Sequence, residues 1–234
     1  MCEVKAITQA TFDAVVQENI DDFEMDPSEA VQDAIGQFTS QDVNLGMIIK
    51  ELPIDGEHEV VILTKSLEKF KQKYLDSNEK ASLKKSLSTL TEKFQSDLAN
   101  RYQASKIANA HNVLFDCCKT YVEDVDILKY FLQSLCALLD GQPDLISNDE
   151  MEFFLTLING EVNEEIAHWA LRIIKFSCQK HEQNRLNFVK AKGIDIVLSV
   201  AEKFKENPRV VKEACGSLRS ITLDDDVRVQ FGKA

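Results

Sequence analysis

An all-α stack of helical repeats is the fold class this sequence predicts, on three observations. Arg185-Leu-Asn-Phe188-Val-Lys190-Ala191 returns as Arg228-Val-Gln-Phe231-Gly-Lys233-Ala234, shifted by 43 residues. Apolar residues recur at i, i+3, i+4, i+7 in register with that shift, which is the spacing of one helix face. Only eight glycines and four prolines occur in 234 residues, as suits long helices joined by short turns. A period of about 40–47 residues is that of helical repeats whose units bury their faces on one another.

Composition excludes several classes. Hydrophobic residues make up 44% of the chain, enough for a sizeable core. No run approaches 18 apolar residues, so no segment reads as membrane-spanning, and the N-terminus lacks a basic-then-apolar signal layout. Cys2 has no neighbouring glycine or basic cluster that would mark acylation, and reads as a plain thiol. The six cysteines show no Cys-x-x-Cys and no paired spacing, which predicts free thiols in a reducing compartment and a cytoplasmic or nuclear location. The net charge is −12, and residues 1–58 carry 13 acids against Lys5 and Lys50, a local balance of −11. Such an acidic chain is a poor fit to nucleic acid.

Taken in order, residues 8–24 form a helix with Phe12, Val16, Asn19, Ile20 and Phe23 on its apolar stripe. Asp26-Pro27 caps a second helix with Val31, Ala34, Ile35 and Phe38 inside. A short helical piece near Leu45–Lys50 and a linker over Asp55–His58 complete an acidic N-terminal module, residues 1–55. Residues 56–100 read as a degenerate first repeat, whose Lys65–Lys93 stretch is basic enough for the module to dock as a cap through Phe12, Phe23, Val31 and Phe38.

Residues 101–234 carry the regular repeats, marked at Arg101, Gln142, Arg185 and Arg228. Second-helix stripes read Ala110, Val113, Leu114, Cys117; Met151, Phe154, Leu155, Ile158; and Ile194, Val197, Leu198, Ala201. Third-helix stripes read Leu83, Ser86, Leu87, Leu90; Leu128, Phe131, Leu132, Leu135; Ala167, Ala170, Leu171, Ile174; and Ala214, Ser217, Leu218, Ile221. Asn78-Glu79, Asn163-Glu164 and Asn207-Pro208 are candidate N-caps, and Gly141 and Gly160 candidate helix ends. Each unit is a short first helix followed by longer second and third helices, stacked as a right-handed α-α superhelix. The last unit stops after its first helix. That predicts a C-terminally shortened form, frayed or self-associating over its last forty or so residues, with Leu198, Ala201, Leu218 and Ile221 uncovered.

Ala167-His-Trp169-Ala-Leu171-Arg172 and Lys212-Glu-Ala-Cys-Gly-Ser-Leu218-Arg219 look like third helices of armadillo repeats. Lys180-His-Glu-Gln-Asn184-Arg185, Asp140-Gly-Gln-Pro-Asp-Leu145, Asp224-Asp-Asp-Val-Arg228-Val-Gln-Phe231-Gly232 and Thr11-Phe-Asp-Ala-Val-Val-Gln-Glu-Asn-Ile20 together resemble the armadillo repeat-containing protein 6 family. The resemblance spans the N-terminal module and the repeats and is weakest between residues 55 and 100. It implies an armadillo scaffold with a protein partner, in a family whose members carry further repeats. In nuclear-import adaptors of the same superfamily, Trp and Asn ladders on the third helices grip basic peptides. Here the Trp places hold Lys85, Tyr130, Trp169 and Gly216, and the Asn places hold Thr89, Ser134, Ile173 and Ser220, so that mode of binding is not expected.

No catalytic arrangement, phosphate loop or cofactor motif is present, and the chain reads as a non-enzyme. His58, His111, His168 and His181 lack ligand spacing, Asp224-Asp225-Asp226 reads as an acidic turn before a helix, and of Cys117 and Cys118 one is expected in the core and one at its edge. The resemblance places the third helices along a concave groove. There Tyr130, Gln133, Trp169, Arg172 and Arg219 are the candidate partner-binding residues, arranged for an extended acidic or polar segment. The expected function is a protein–protein interaction scaffold. The alternative is a transport or assembly adaptor that loads and releases cargo, with the acidic N-terminal module as internal competitor.

Overall fold

Helix starts in this chain are set by side chains that accept from the first free backbone amides. The computed structural model describes residues 5–51, 58–71, 74–179 and 181–222, with side chains from Ile7 onward. Thr8 caps α1 (Gln9–Phe23), Asp26 caps α2 (Pro27–Ser40) with its proline at the first helical position, and His58 caps α3 (Glu59–Leu67). At α4 (Ser77–Ser96) the cap is Asp76 rather than Asn78. The Asp76 carboxylate accepts from the amides of Asn78 and Glu79, and the Glu79 carboxylate accepts from the Asp76 amide at 2.9 Å, a reciprocal box. Asp97 caps α5 (Leu98–Ala108), which ends on Asn109 in the left-handed region before α6 (Ala110–Thr120). Asp124 caps α7 (Val125–Leu139). Ser147 and Glu150 form a capping box on α8 (Asn148–Asn159), and Asn163 caps α9 (Glu164–Cys178). His181 caps α10 (Glu182–Lys190), α11 (Gly193–Lys203) follows, and Asn207 caps α12 (Pro208–Ile221). The other regular element among the described residues, besides two one-turn 3-10 helices, is a pair of parallel two-residue strands, β1 (Lys5–Ala6) and β2 (Val43–Asn44).

The chain folds as two compact units: residues 1–68 with 92–110, and residues 69–91 with 111–234. In the first, Phe12, Val16, Ala30, Val31, Ala34, Phe38, Leu45 and Ile48 form a core of their own, with the Phe12 and Phe38 rings 6.0 Å apart. These side chains therefore pack on one another within the module. Phe23, expected in the stripe, is 63% exposed, because α1 ends there and Glu24 turns the chain through the left-handed region. The helix expected near Leu45–Lys50 is absent. Asn44 Oδ1 accepts from the Gly46 amide at 2.8 Å and bends the chain, and Gln9 holds Ile49 from both sides. Gln9 Nε2 donates to the Ile49 carbonyl at 2.9 Å, and the Ile49 amide donates to Gln9 Oε1 at 2.8 Å. Gln103 on α5 donates to Gln9 Oε1 and to the Met47 carbonyl. Lys93 pairs with Glu51 at 3.5 Å and Glu59 at 2.9 Å.

In the second unit the stripes come out as a repeat requires. Every stripe residue of α6, α7, α8 and α9 named above is buried, as are Leu83, Leu87 and Leu90 of α4. Each large aliphatic side chain removed from water in this way contributes about 1.5–3 kcal/mol. Cys117 and Cys118 are both fully buried, against the expected split. Third helices pack on one another, α9 on α7 and α12 on α9, and α8 and α11 pack on them from behind. The first helices vary. In the Gln142 unit the first helix shrinks to one 3-10 turn, Pro143–Leu145, while α5 is as long as the α6 that follows it. Towards the end of the chain, Leu198 is 46% exposed, Ala201 and Leu218 are half-buried, and Ile221, expected to be uncovered, is buried. Cys2, the Asp55–Glu57 part of the linker, Asp224-Asp225-Asp226 and the final repeat mark at Arg228 lie outside the described residues.

The repeat landmark now has a physical reason. Asn184 Nδ2 donates to the Ser177 carbonyl at 2.8 Å and the Pro143 carbonyl at 2.9 Å, and Arg185 Nη1 donates to the Cys178 carbonyl. Asn100 makes the same seven-residue reach, to the Lys93 carbonyl at 3.1 Å. Each ties a first helix to carbonyls in the last turn of the preceding third helix. Phe188 is fully buried against Gly193, where an added Cβ would sit 2.6 Å from its ring. The fold is an all-α armadillo-type solenoid with an N-terminal helical module.

The outward face of the third helices

Helical spacing fixes which third-helix residues point away from the core. On α9, with Ala167, Ala170, Leu171 and Ile174 buried, the residues left on the outward face include Trp169, Arg172 and Phe176 at i, i+3, i+7. All three are half-buried. The Arg172 guanidinium lies 5.5 Å from the Trp169 ring centre and 5.4 Å from that of Phe176, so it is sandwiched between two π faces. Trp169 Nε1 and Arg172 Nε are closed off from solvent and find no hydrogen-bond acceptor among the described residues. His168, beside Trp169, is buried, and its ring meets the indole edge-on at 4.9 Å.

One third helix further on, α12 presents Lys212, Cys215, Gly216 and Arg219. Arg219 is exposed and forms no ion pair with any described residue. Lys175 of α9 reaches across to α12, where its ammonium pairs with buried Glu213 at 2.5 Å. One third helix earlier, on α7, Tyr130 and Gln133 are half-buried. The Tyr130 ring is taken up by this chain's own cations, Lys84 at 5.8 Å and Lys129 at 5.4 Å. Arg172 joins Trp169 to Phe176, a residue not among the expected ones although its spacing from Trp169 and Arg172 is visible in the sequence. Lys175, Lys212 and Gly216 were also left out, since their meaning depends on how α9 and α12 pack.

The places where a peptide-clamping Asn would stand point elsewhere. Ser134 is buried, and its hydroxyl donates to the Leu87 carbonyl of the preceding third helix at 3.1 Å. Ile173 is fully buried, and Ser220 donates to the Ser217 carbonyl at 2.7 Å. Even asparagines there would face helix packing. The buried thiols are chemically quiet: burial pushes Cys136 up to about 12, although Arg172 and Lys175 pull the other way, and pushes Cys178 to about 12 also. Among the described residues no group of three or more His, Cys, Asp or Glu could hold a metal ion, and no helix is long and apolar enough to cross a membrane.

Residues 4–81 match the family model of the armadillo repeat-containing protein 6 N-terminal domain. Over 98% of its length the chain is 34% identical to armadillo repeat-containing protein 6 of Homo sapiens and of Pongo abelii, covering 47% of each. It is 33% identical to the Drosophila melanogaster homologue, covering 98% of this chain and 50% of that protein. The chain thus spans about half the length of the curated relatives it matches. No solved structure matches it significantly. Carrying both that N-terminal domain and the stitched helical repeats that follow it, the chain belongs to the armadillo repeat-containing protein 6 family.

Proposed function

We propose that this chain is a non-enzymatic scaffold that holds an extended acidic segment of a partner protein along its third helices. Armadillo-repeat families suggest protein interaction in general. The observation that supports the finer reading is the Trp169–Arg172–Phe176 sandwich beside Arg219, which is exposed and pairs with no described residue. An Arg held between two rings has already lost much of its side-chain freedom, so engaging a carboxylate costs it less. Aromatic and Arg side chains are also the commonest hot spots.

The two arginines call for different variants. Arg219 is exposed, so Arg219→Glu should leave the melting temperature unchanged while weakening an identified partner about tenfold. Arg172 is packed between rings, so a reversed charge there would disturb folding as well. Arg172→Lys keeps the charge but loses the planar stack, and is the cleaner probe. A partner that binds both variants with wild-type affinity, measured by titration calorimetry, sinks the reading.

A further inference from the structure

The α9–α12 surface contains a depression of about 530 Å³, lined by Lys175 and Gln179 on one side and Lys212, Gly216 and Arg219 on the other. Among the described residues no acidic side chain lines it. That is unusual in a chain with 39 acids against 27 bases. Two other depressions on the same unit both mix signs: Lys203 and Arg209 with Glu164 and Glu206, and Lys80 with Glu123, Asp124 and Asp126. Lys175 is neutralised by Glu213. Lys212 and Arg219 form no ion pair with any described residue, so among those residues two cations at the rim stand without a counter-charge. The hollow exists because Gly216 stands at the third-helix place that Trp169 and Tyr130 fill elsewhere. The Lys175 stem lies over it, and an added Cβ would sit 2.8 Å from Lys175 Cδ.

We propose that this depression receives a phosphorylated side chain of the partner segment. The proposal rests on the reading that a partner lies across the third helices, and it names the group that fits between them. A phosphorylated Ser, Thr or Tyr carries about −1.5 to −2 charges at neutral pH, which matches two free cations where one carboxylate would leave a cation unpaired. Arg219 supplies a fork that matches two phosphate oxygens, Lys212 supplies a point charge, and Gln179 an amide donor. The site is open to solvent, so selectivity shows as a salt-sensitive ratio between ligands.

The test uses the full chain and a blocked Gly/Ser hexapeptide in three forms: with one phosphoserine, with Glu in its place, and unmodified. Amide shifts are followed by NMR at low salt, with inorganic phosphate as a further probe. The phosphoserine peptide should bind at least about fivefold tighter than the Glu peptide, the gain expected from one more charge contact at a surface. Its shifts should centre on Gly216 and Ser220, and the K212Q/R219Q variant should bind the two peptides equally. Equal affinities in the wild type, or a phosphoserine preference that survives K212Q/R219Q, overturn the proposal. Inorganic phosphate binding as tightly as the phosphoserine peptide also overturns it, because the site would then serve a free ion. A native partner that depends on Arg219 but is indifferent to phosphatase leaves the scaffold reading standing without this one. If neither acidic peptide shifts any third-helix amide and no partner depends on Arg219, both fall.

Discussion

The two compact units hold together by different means. In the first, the ties are one of a kind: Gln9 grips Ile49 from both sides, Gln103 reaches Gln9, and Asn19 donates to the Ala30 carbonyl. In the second, the same devices recur. Serines on α7 and α12 each donate to a carbonyl of the preceding third helix, at Leu87 and Leu171, and stripe follows stripe at repeat spacing. The Asn stitch also recurs, at Asn100 in the first unit and Asn184 in the second. A repeated device leaves a period that can be read without coordinates. A single tie between distant residues leaves none, however much it stabilises.

The largest expected effect separates the two cores. Phe131 is fully buried in the α7 stripe, and Phe131→Ala should cost about 3–5 kcal/mol in urea unfolding. Because α7 and α9 share that burial, hydrogen exchange should lose protection on both helices together. Phe12→Ala, in the core of the first unit, should confine its loss to α1 and α2. If Phe12→Ala loosens α9 as much as α1, the contrast between the units breaks.

A smaller effect tests the stitches. Asn184 donates to two carbonyls from a buried position, so Asn184→Ala should cost about 1–3 kcal/mol by leaving acceptors without partners. Asn100 serves one carbonyl, Lys93, which keeps the Asp97 amide and the Ser96 hydroxyl as donors, so Asn100→Ala should cost less, about 1 kcal/mol. Equal costs would mean that the Pro143 contact adds nothing. Smaller again, Gln9→Ala removes the partly buried pair with Ile49 and should cost roughly 1 kcal/mol, read as faster amide exchange at Ile49. Unchanged exchange there would show that the apolar core alone fixes that segment.

These cases also mark what was legible in the sequence. The stripes of α6 to α9 were, since each must face the core every 3.6 residues. The caps at Asp26, Asn163 and Asn207 were, since cap chemistry is local. The Asp76 box was missed by two residues, because Asp76 and Asn78 are equally good acceptors on paper. Phe23 differs because α1 ends there, and Cys118 because the edge of a helix face is set by what packs against it. Trp169 and Arg172 were nominated from register, whereas the cations around Gly216 needed the α9–α12 contact. Arg101 and Arg185 are legible as period markers; that the asparagines before them, Asn100 and Asn184, tie down the end of the preceding third helix is a property of three-dimensional neighbours.

The smallest effect is a pH dependence, and it contrasts one histidine in each unit. His168 has its pKa held below the ordinary 6.5, first by burial and then by the Arg209 and Arg172 guanidiniums, which outweigh Glu213. His58, in the first unit, is also lowered by burial, but Glu51, Glu59 and Asp13 pull it back against Lys93. A histidine whose folded pKa is depressed favours the neutral form, so the unfolded chain binds the proton first as pH falls. Stability is therefore full above about pH 7 and declines as pH drops through 6.5 towards the folded value. Glu150 does not contribute in this window. Burial raises its carboxyl, but the His111 ring 3.2 Å away and the hydrogen bond from the Ser147 amide outweigh that and hold it below the usual range, so it stays ionised. Urea midpoints at pH 7.5 and 5.5 should fall for the wild type, and fall less for His168→Gln, whose side chain does not titrate. His58→Gln should flatten the slope by a smaller amount, because its surroundings supply carboxylates where those of His168 supply mostly guanidiniums. If the two variants flatten the slope equally, burial alone sets both histidines and the surrounding charges do not distinguish the two units.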